Sequence, residues 1–269
     1  MSTESIGIFD SGFGGLTVMN AITDLLPHEN IIYFGDTAHL PYGNKSPETI
    51  LKYSIESVQF LEKQKIKLLV VACHSACTAA LDSLTSLVSF PVVGVSSAGV
   101  EELIKQKKTD HFALLGTKAT VLSKVYEQMI LKKRPAATVV SLACPLFVPL
   151  VETGYVKNPL IAKSIIQDHL APLKGKTLDA VLLACTHYPL LREFIQEEMG
   201  PEISLIDPAE ACAHQVKKIL FEKRLQNTQE TLPIHQFYAS DDPSQFQIMG
   251  QSFCKTPIKS VFSSVEKAL

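Results

Sequence analysis

One local pattern occurs twice in this chain and restricts its fold more than any other feature. Leu178–Leu190 reads Leu-Asp-Ala-Val-Leu-Leu-Ala-Cys-Thr-His-Tyr-Pro-Leu. An apolar run, Ala180 to Ala184, gives way abruptly to Cys185, Thr186 and His187. Such a run reads as a buried parallel strand that ends in a polar turn. Pro189 follows, and proline suits the first turn of a helix because its missing N–H would have no partner there. Lys67–Leu81 repeats the arrangement, with Leu68–Ala72 running into Cys73, His74 and Ser75 before a helical pattern. Each cysteine is therefore expected where a strand ends and a helix begins, the edge at which open α/β sheets bind small ligands. Two such half-sites suggest two similar lobes, each offering a thiol to a shared cleft.

The remainder alternates in the same rhythm. Strands are expected at Ile6–Phe9, Ile31–Phe34, Val92–Val95, His111–Leu115, Thr138–Leu142 and Ile203–Ile206, with final strands at Ile234–Tyr238 and Ile258–Phe262. Helices are expected at Leu16–Leu26, from Ser46 to about Gln64, at Gly99–Lys107, Val121–Lys132, from Asn158 to Leu170, from Cys185 to Met199, from Asp207 to about Arg224, and near Pro243–Phe253. Ser46-Pro47-Glu48 supplies a cap, a first-turn proline and an early acid. The fold class is α/β: two pseudo-symmetric lobes, each a mostly parallel sheet flanked by helices, with the active site in the cleft between them. Ser96–Ala98 and Asp207–Ala209 are the expected hinge points. They make residues 1–97 plus 208–269 lobe one, with Cys73, and residues 98–207 lobe two, with Cys185.

Composition narrows the function. A net charge of −2 and no Lys/Arg run longer than Lys132–Arg134 leave no nucleic-acid footprint. No apolar stretch has transmembrane length, and Met1–Ser5 leads straight into the first strand without a signal peptide, which points to a cytoplasmic protein. In that compartment the six cysteines are expected as thiols. Cys144 ends a third Ala-Cys strand, but Pro145 and Leu146 bring only apolar surface, and it reads as packing. Cys77 and Cys212, inside helices, and Cys254, near the end of one, read the same way.

Cys73 and Cys185 are each followed by residues able to handle a ligand. A thiol at a helix N-terminus is expected to have a lowered pKa. Two thiols facing one cleft suit a reaction in which one removes a proton from carbon and the other delivers a proton to the opposite face. Alternatives remain at this level. Both cysteines could be small buried hydrophobes. Cys73, His74 and Cys77 with Cys185 and His187 could supply zinc ligands, although Cys77 would lie one helical turn inside. Asp10-Ser11-Gly12 could be only a cap and turn, and Gly12-x-Gly14-Gly15 is a weak dinucleotide signal. Asp36 and Glu152 could be solvated turn acids, and His187 a structural histidine.

Taken together, the stretches Gly7–Leu16, Gly35-Asp36-Thr37, Pro41-Tyr42-Gly43, Val71-Ala72-Cys73, Leu142–Leu146 with Val151-Glu152, and Ala184–Pro189 resemble the glutamate racemase family. They are spread over about residues 6–190. The resemblance implies cofactor-independent conversion of L-glutamate to D-glutamate for peptidoglycan, with no metal, in a homodimer. It implies Cys73 and Cys185 as the two acid/base thiols, Asp10 and His187 as assistants to proton transfer, and Glu152 as support for His187. It also implies that Asp10, Ser11, Pro41, Tyr42, Gly43, His74, Ser75, Thr117, Thr186 and His187 bind substrate. One departure is plain. The family has Asn-Thr after the first cysteine, and this chain has His74-Ser75, so an imidazole replaces an amide that meets substrate. His74 is expected to face the cleft and to add a titration near neutral pH. Family members activated by a cell-wall precursor carry an N-terminal extension; this chain begins just before its first strand, and no such control is expected. Racemisation of aspartate or a hydantoin is the alternative among enzymes. A two-lobed binding module is the alternative outside them, and it would need no thiols in its cleft.

Overall fold

The computed structural model describes residues 2–106, 110–229 and 232–264. Among the described residues ten strands form two sheets. The first contains β1 (Ile6–Asp10), β2 (Ile31–Gly35), β3 (Leu68–Val71), β4 (Val92–Gly94), β9 (His235–Ala239) and β10 (Phe262–Ser263) in the order β10-β9-β2-β1-β3-β4. The second contains β5 (His111–Gly116), β6 (Thr138–Ala143), β7 (Ala180–Ala184) and β8 (Ser204–Ile206) in the order β6-β5-β7-β8. Every pairing among the described strands is parallel. The orders β2-β1-β3-β4 and β6-β5-β7-β8 are the same wiring used twice, with β9 and β10 added at one edge of the first sheet.

Burial explains the continuous apolar runs. All five residues of β1, β2 and β7 are buried, as expected of parallel strands covered on both faces. The period of two still operates within them. Ala113, Leu115, Val181 and Leu183 join the larger core that extends into the first sheet, whereas Phe112, Leu114, Ala180 and Leu182 form a second core with Val100, Leu103, Tyr126 and Ile130. The chain passes from one sheet to the other through the helices Val95–Leu103 and Pro208–Glu222. These helices pack so closely that a methyl on Gly99 would lie 3.0 Å from Pro208.

Four expected elements differ in the structure. The helix expected from Cys185 to Met199 is α-helical only over Arg192–Met199, after a 3-10 turn at Tyr188–Leu191. The helix expected from Gly99 starts at Val95, because the chain turns at Gly94 and Ser97 Oγ donates to the Gly94 carbonyl at 2.9 Å. It ends at Leu103, and the expected end at Lys107 lies outside the described residues. The expected helix Val121–Lys132 is two, Lys118–Leu122 and Val125–Lys133, separated by Lys124 in the left-handed region at φ 58°. Thr117 caps the first, accepting from Thr120 N at 3.3 Å. The last strand is only Phe262–Ser263. The backbone of Ile258 is satisfied by side chains instead of a ladder: its N–H donates to Gln251 Oε1 at 2.9 Å and its carbonyl accepts from Gln247 Nε2 at 2.8 Å.

Candidate active site

In each sheet the strand order reverses direction between the first and third strands, and a crevice opens there beyond the carboxyl ends. Asp10 ends β1 and Cys73 follows β3; Gly116 ends β5 and Cys185 follows β7. The repeated wiring therefore presents two equivalent strand ends. Both thiols line one cleft, together with Ser11, Pro41, Tyr42, Gly43, His74, Ser75, Thr117, Glu152, Thr186 and His187. The enclosed space is about 100 Å³, well below the roughly 300–1,000 Å³ of pockets that hold drug-sized ligands.

The glycine-rich turn after β1 is explained by crowding. A Cβ on Gly14 would lie 2.2 Å from Thr186 Oγ1 and 2.6 Å from His187 Nδ1. A Cβ on Gly15 would lie 2.6 Å from Asp10 Cβ. The glycines let the first sheet's turn approach the Cys185 loop, and Thr17 Oγ1 donates to the Thr186 carbonyl at 3.4 Å. On the opposite wall, a Cβ on Gly43 would lie 2.7 Å from Thr117 Cβ.

Cys73 occupies the N-cap of the helix His74–Leu87, and its Sγ donates to Ser11 Oγ at 3.4 Å. The expected lowering of its pKa is not found. Burial, reinforced by the negative charge of Asp10, pushes the Cys73 thiol up to about 12. Cys185 is pushed well above the ordinary thiol range, also chiefly by burial. Hydrogen bonds from the Ser11 side chain and Ala76 N–H to Cys73, and from His187 N–H to Cys185, favour the thiolates, but the loss of solvent outweighs them. Burial thus favours the thiol form of both cysteines.

Asp10, expected to bind substrate, is buried behind Ser11 and is not among the residues lining the cleft; its carboxyl is raised above the usual range because desolvation exceeds the attraction of His187. Its Oδ2 accepts from Gly12 N at 2.9 Å, while Oδ1 is buried without a hydrogen-bond partner. His187 Nε2 lies 3.0 Å from Glu152 Oε1. The carboxylate accepts, so Nε2 donates to Glu152, which fixes the ring's orientation. The ring sits edge-on to Phe253, with centroids 5.1 Å apart.

Two residues line the cleft as expected but spend a polar atom on the protein itself. His74 borders the cleft, but its Nδ1 shares a hydrogen bond with the Tyr126 hydroxyl. Burial drives its pKa down to about 3, so the expected titration near neutral pH is absent. Tyr42 donates its hydroxyl to Asp36, which also accepts from Ser240 Oγ at 2.7 Å. That leaves the Tyr42 ring and main chain for a ligand, and it makes Asp36 the anchor of the Pro41-Tyr42-Gly43 wall instead of a solvated turn acid. Ser75 Oγ lies 2.9 Å from Thr117 Oγ1, which in turn lies 3.0 Å from Thr120 Oγ1. Sequence reasoning missed Thr120 and Tyr126, because a hydroxyl within an amphipathic helix carries no local mark. It also missed the lining role of Val148 and Pro149; the prolines of Cys-Pro-Leu-Phe-Val-Pro were the available signal. Cys144 is fully buried, yet it and Pro145 also border the cleft, so the reading of Cys144 as packing alone is incomplete. Cys77 donates to the Val71 carbonyl at 3.3 Å, away from the cleft, which removes it from the zinc alternative. Among the described residues no helix is long and apolar enough to cross a membrane.

Fold and site together define an α/β protein in which two copies of one sheet each bring a buried thiol to a common crevice. The Asp/Glu/Hydantoin racemase family model matches residues 7–216, and the chain belongs to that family. It is 43% identical over 253 residues to the glutamate racemase of Geobacter metallireducens, covering 94% of this chain and 93% of that one. The crystal structure of glutamate racemase isoform RacE1 from Bacillus anthracis superposes with a TM-score of 0.93 at 34% identity, covering 98% of both chains. The glutamate racemase of Francisella tularensis, solved in complex with D-glutamate, gives a TM-score of 0.91 at 34% identity, with 98% of this chain and 97% of that one covered.

Proposed function

We propose that this chain interconverts L- and D-glutamate by a two-base mechanism, with Cys73 and Cys185 acting on opposite faces of the α-carbon. The observation that carries the reading is the pair of thiols at equivalent strand ends of two like sheets, lining one cleft. Similarity to proteins named glutamate racemase over nearly the whole chain supports the substrate.

The chemistry follows from the protonation states. One thiol must become a thiolate to take the α-proton, and the other must stay protonated to deliver one. Burial holds both as thiols, so activation must come with the charges the substrate brings. The ammonium of glutamate adds a positive charge beside the thiols, and charge of that sign favours a thiolate. Asp10, with a buried and unpartnered Oδ1, accepts the proton on the Cys73 side. His187, oriented by the Nε2–Glu152 bond, performs the same service beside Cys185. As the α-proton leaves, negative charge builds on the α-carboxylate, and the hydroxyls of Ser11, Ser75, Thr117 and Thr186 with the N–H groups near Gly43 are its stabilising donors. The second thiol then protonates the opposite face, and the two cysteines have exchanged states.

Residues 1–97 with 208–269 form one lobe and 98–207 the other, hinged where the helices at Val95 and Pro208 begin. The family resemblance further supports a cytoplasmic homodimer whose product enters peptidoglycan. Light scattering of the purified protein tests the dimer, and rescue of a D-glutamate auxotroph tests the role. The direct test of function is optical rotation. Purified protein should bring L-glutamate to zero rotation and leave L-aspartate unchanged; loss of rotation with aspartate alone would replace the substrate.

A further inference from the structure

Cys73 opens a helix whose next two residues both bond to the other lobe. His74 Nδ1 meets the hydroxyl of Tyr126, and Ser75 Oγ meets Thr117 Oγ1 at 2.9 Å. The two attachments are separate, since Tyr126 lies in the helix Val125–Lys133 and Thr117 caps the helix before it. Tyr126 is fully buried, its ring held in the second lobe's core with Phe112, Leu114 and Ile130. A ring so packed has no rotamer freedom, so its hydroxyl is a fixed point.

The direction of the bond follows from chemistry. Burial raises the Tyr126 phenol well above its ordinary pKa, so it keeps its proton. His74 is neutral at physiological pH, and an unprotonated imidazole nitrogen is the better acceptor. The phenol donates to Nδ1, and the ring proton is left on Nε2.

We propose that Tyr126 is a positioning residue: donating to His74 Nδ1, it fixes the imidazole as the Nε2–H tautomer and fastens the Cys73 turn to the second lobe. The inference rests on the racemase reading for its kinetic consequence but not for its tautomer. The fastening sets the position of one thiol relative to the other, because Cys73 and His74 share a peptide while Tyr126 belongs to the lobe of Cys185. It also presents a neutral donor, with no added charge, on a wall that receives an anionic substrate.

The test uses the full chain. Tyr126→Phe keeps the ring and deletes the hydroxyl; kcat should fall about tenfold in both directions with KM little changed, the scale of one net hydrogen bond. In a His74→Asn background the same substitution should cost nothing further, because the two side chains act through each other. Additive losses, or a folded Tyr126→Phe with wild-type kcat, overturn the proposal. Nitrogen NMR of labelled histidine in the wild type gives a readout independent of activity and of the variant's folding. One Nε2–H tautomer for His74 is expected, and a mixture of tautomers overturns the fastening. If the wild type fails to racemise glutamate, the substrate reading falls while the NMR result still decides this one.

Discussion

Gly14→Ala tests whether the two sheets meet as closely as the site requires. The added methyl would sit 2.2 Å from Thr186 Oγ1 and 2.7 Å from His187 Cε1. Ordinary contact needs about 3.4 Å, so the Cys185 loop must retreat by roughly 1 Å, and a misplacement of that size costs about 10²-fold in rate. Stability should fall by about 1–3 kcal/mol, as for other overpacked sites, which leaves a folded protein to assay. Racemisation followed by circular dichroism should show a loss of about two orders of magnitude in kcat at a modest drop in melting temperature. Gly12→Ala is the matched comparison: its methyl would meet only Leu40, at 3.5 Å, and it should lose far less. Near-wild-type kcat in Gly14→Ala would refute the close approach of the Thr186 and His187 side chains to the glycine turn.

Cys73→Ser and Cys185→Ser should each abolish racemisation while retaining one-sided elimination from a substrate with a leaving group at Cβ; a single mutant that still racemises in both directions would remove the two-thiol mechanism. Stability should fall as pH rises above 9, because the folded chain holds Cys77 to about 11 and Cys73 to about 12 while the unfolded chain releases those protons from the ordinary 9.0 upward. It should also fall as pH drops from 6.5 toward 3, where the unfolded chain protonates His74 and the folded one does not. Denaturant midpoints check both arms, and His74→Asn should flatten the acid one; an unchanged acid slope in that variant would show that His74 is not buried neutral. Exhaustive dialysis against chelator should leave activity intact, and a stoichiometric zinc in active protein would contradict this.

Much of the fold was legible because parallel strands announce themselves as unbroken apolar runs. Ala180–Ala184 and Leu68–Val71 are buried on both faces, so their composition and their end points were both readable. Caps were readable where a side chain makes them, as at Ser46 and Asn158. The helix at Val95 was misplaced because Val-Val-Gly-Val continues the strand's pattern through a cap that a backbone turn makes. The break at Lys124 depends on a left-handed residue that nothing nearby in sequence demands. In the site, the expected acidity of the cysteines considered only the helix start and not the depth at which it lies. His74 borders the cleft as expected, but its expected titration was wrong for a related reason. Its partner Tyr126 is 52 residues away, in a helix packed on the second sheet, and only the packing of two cores brings them together.

The central claim is one thiol per face, and deuterium incorporation measures it directly. Wild-type protein is given L-glutamate in heavy water and stopped after a small fraction of turnover. Each thiol exchanges its proton with solvent and serves only one face, so the D-glutamate formed should carry deuterium at the α-carbon while the L-glutamate recovered stays protiated. D-glutamate that keeps the substrate's own proton would mean a single base serving both faces, and the two-thiol account would be wrong.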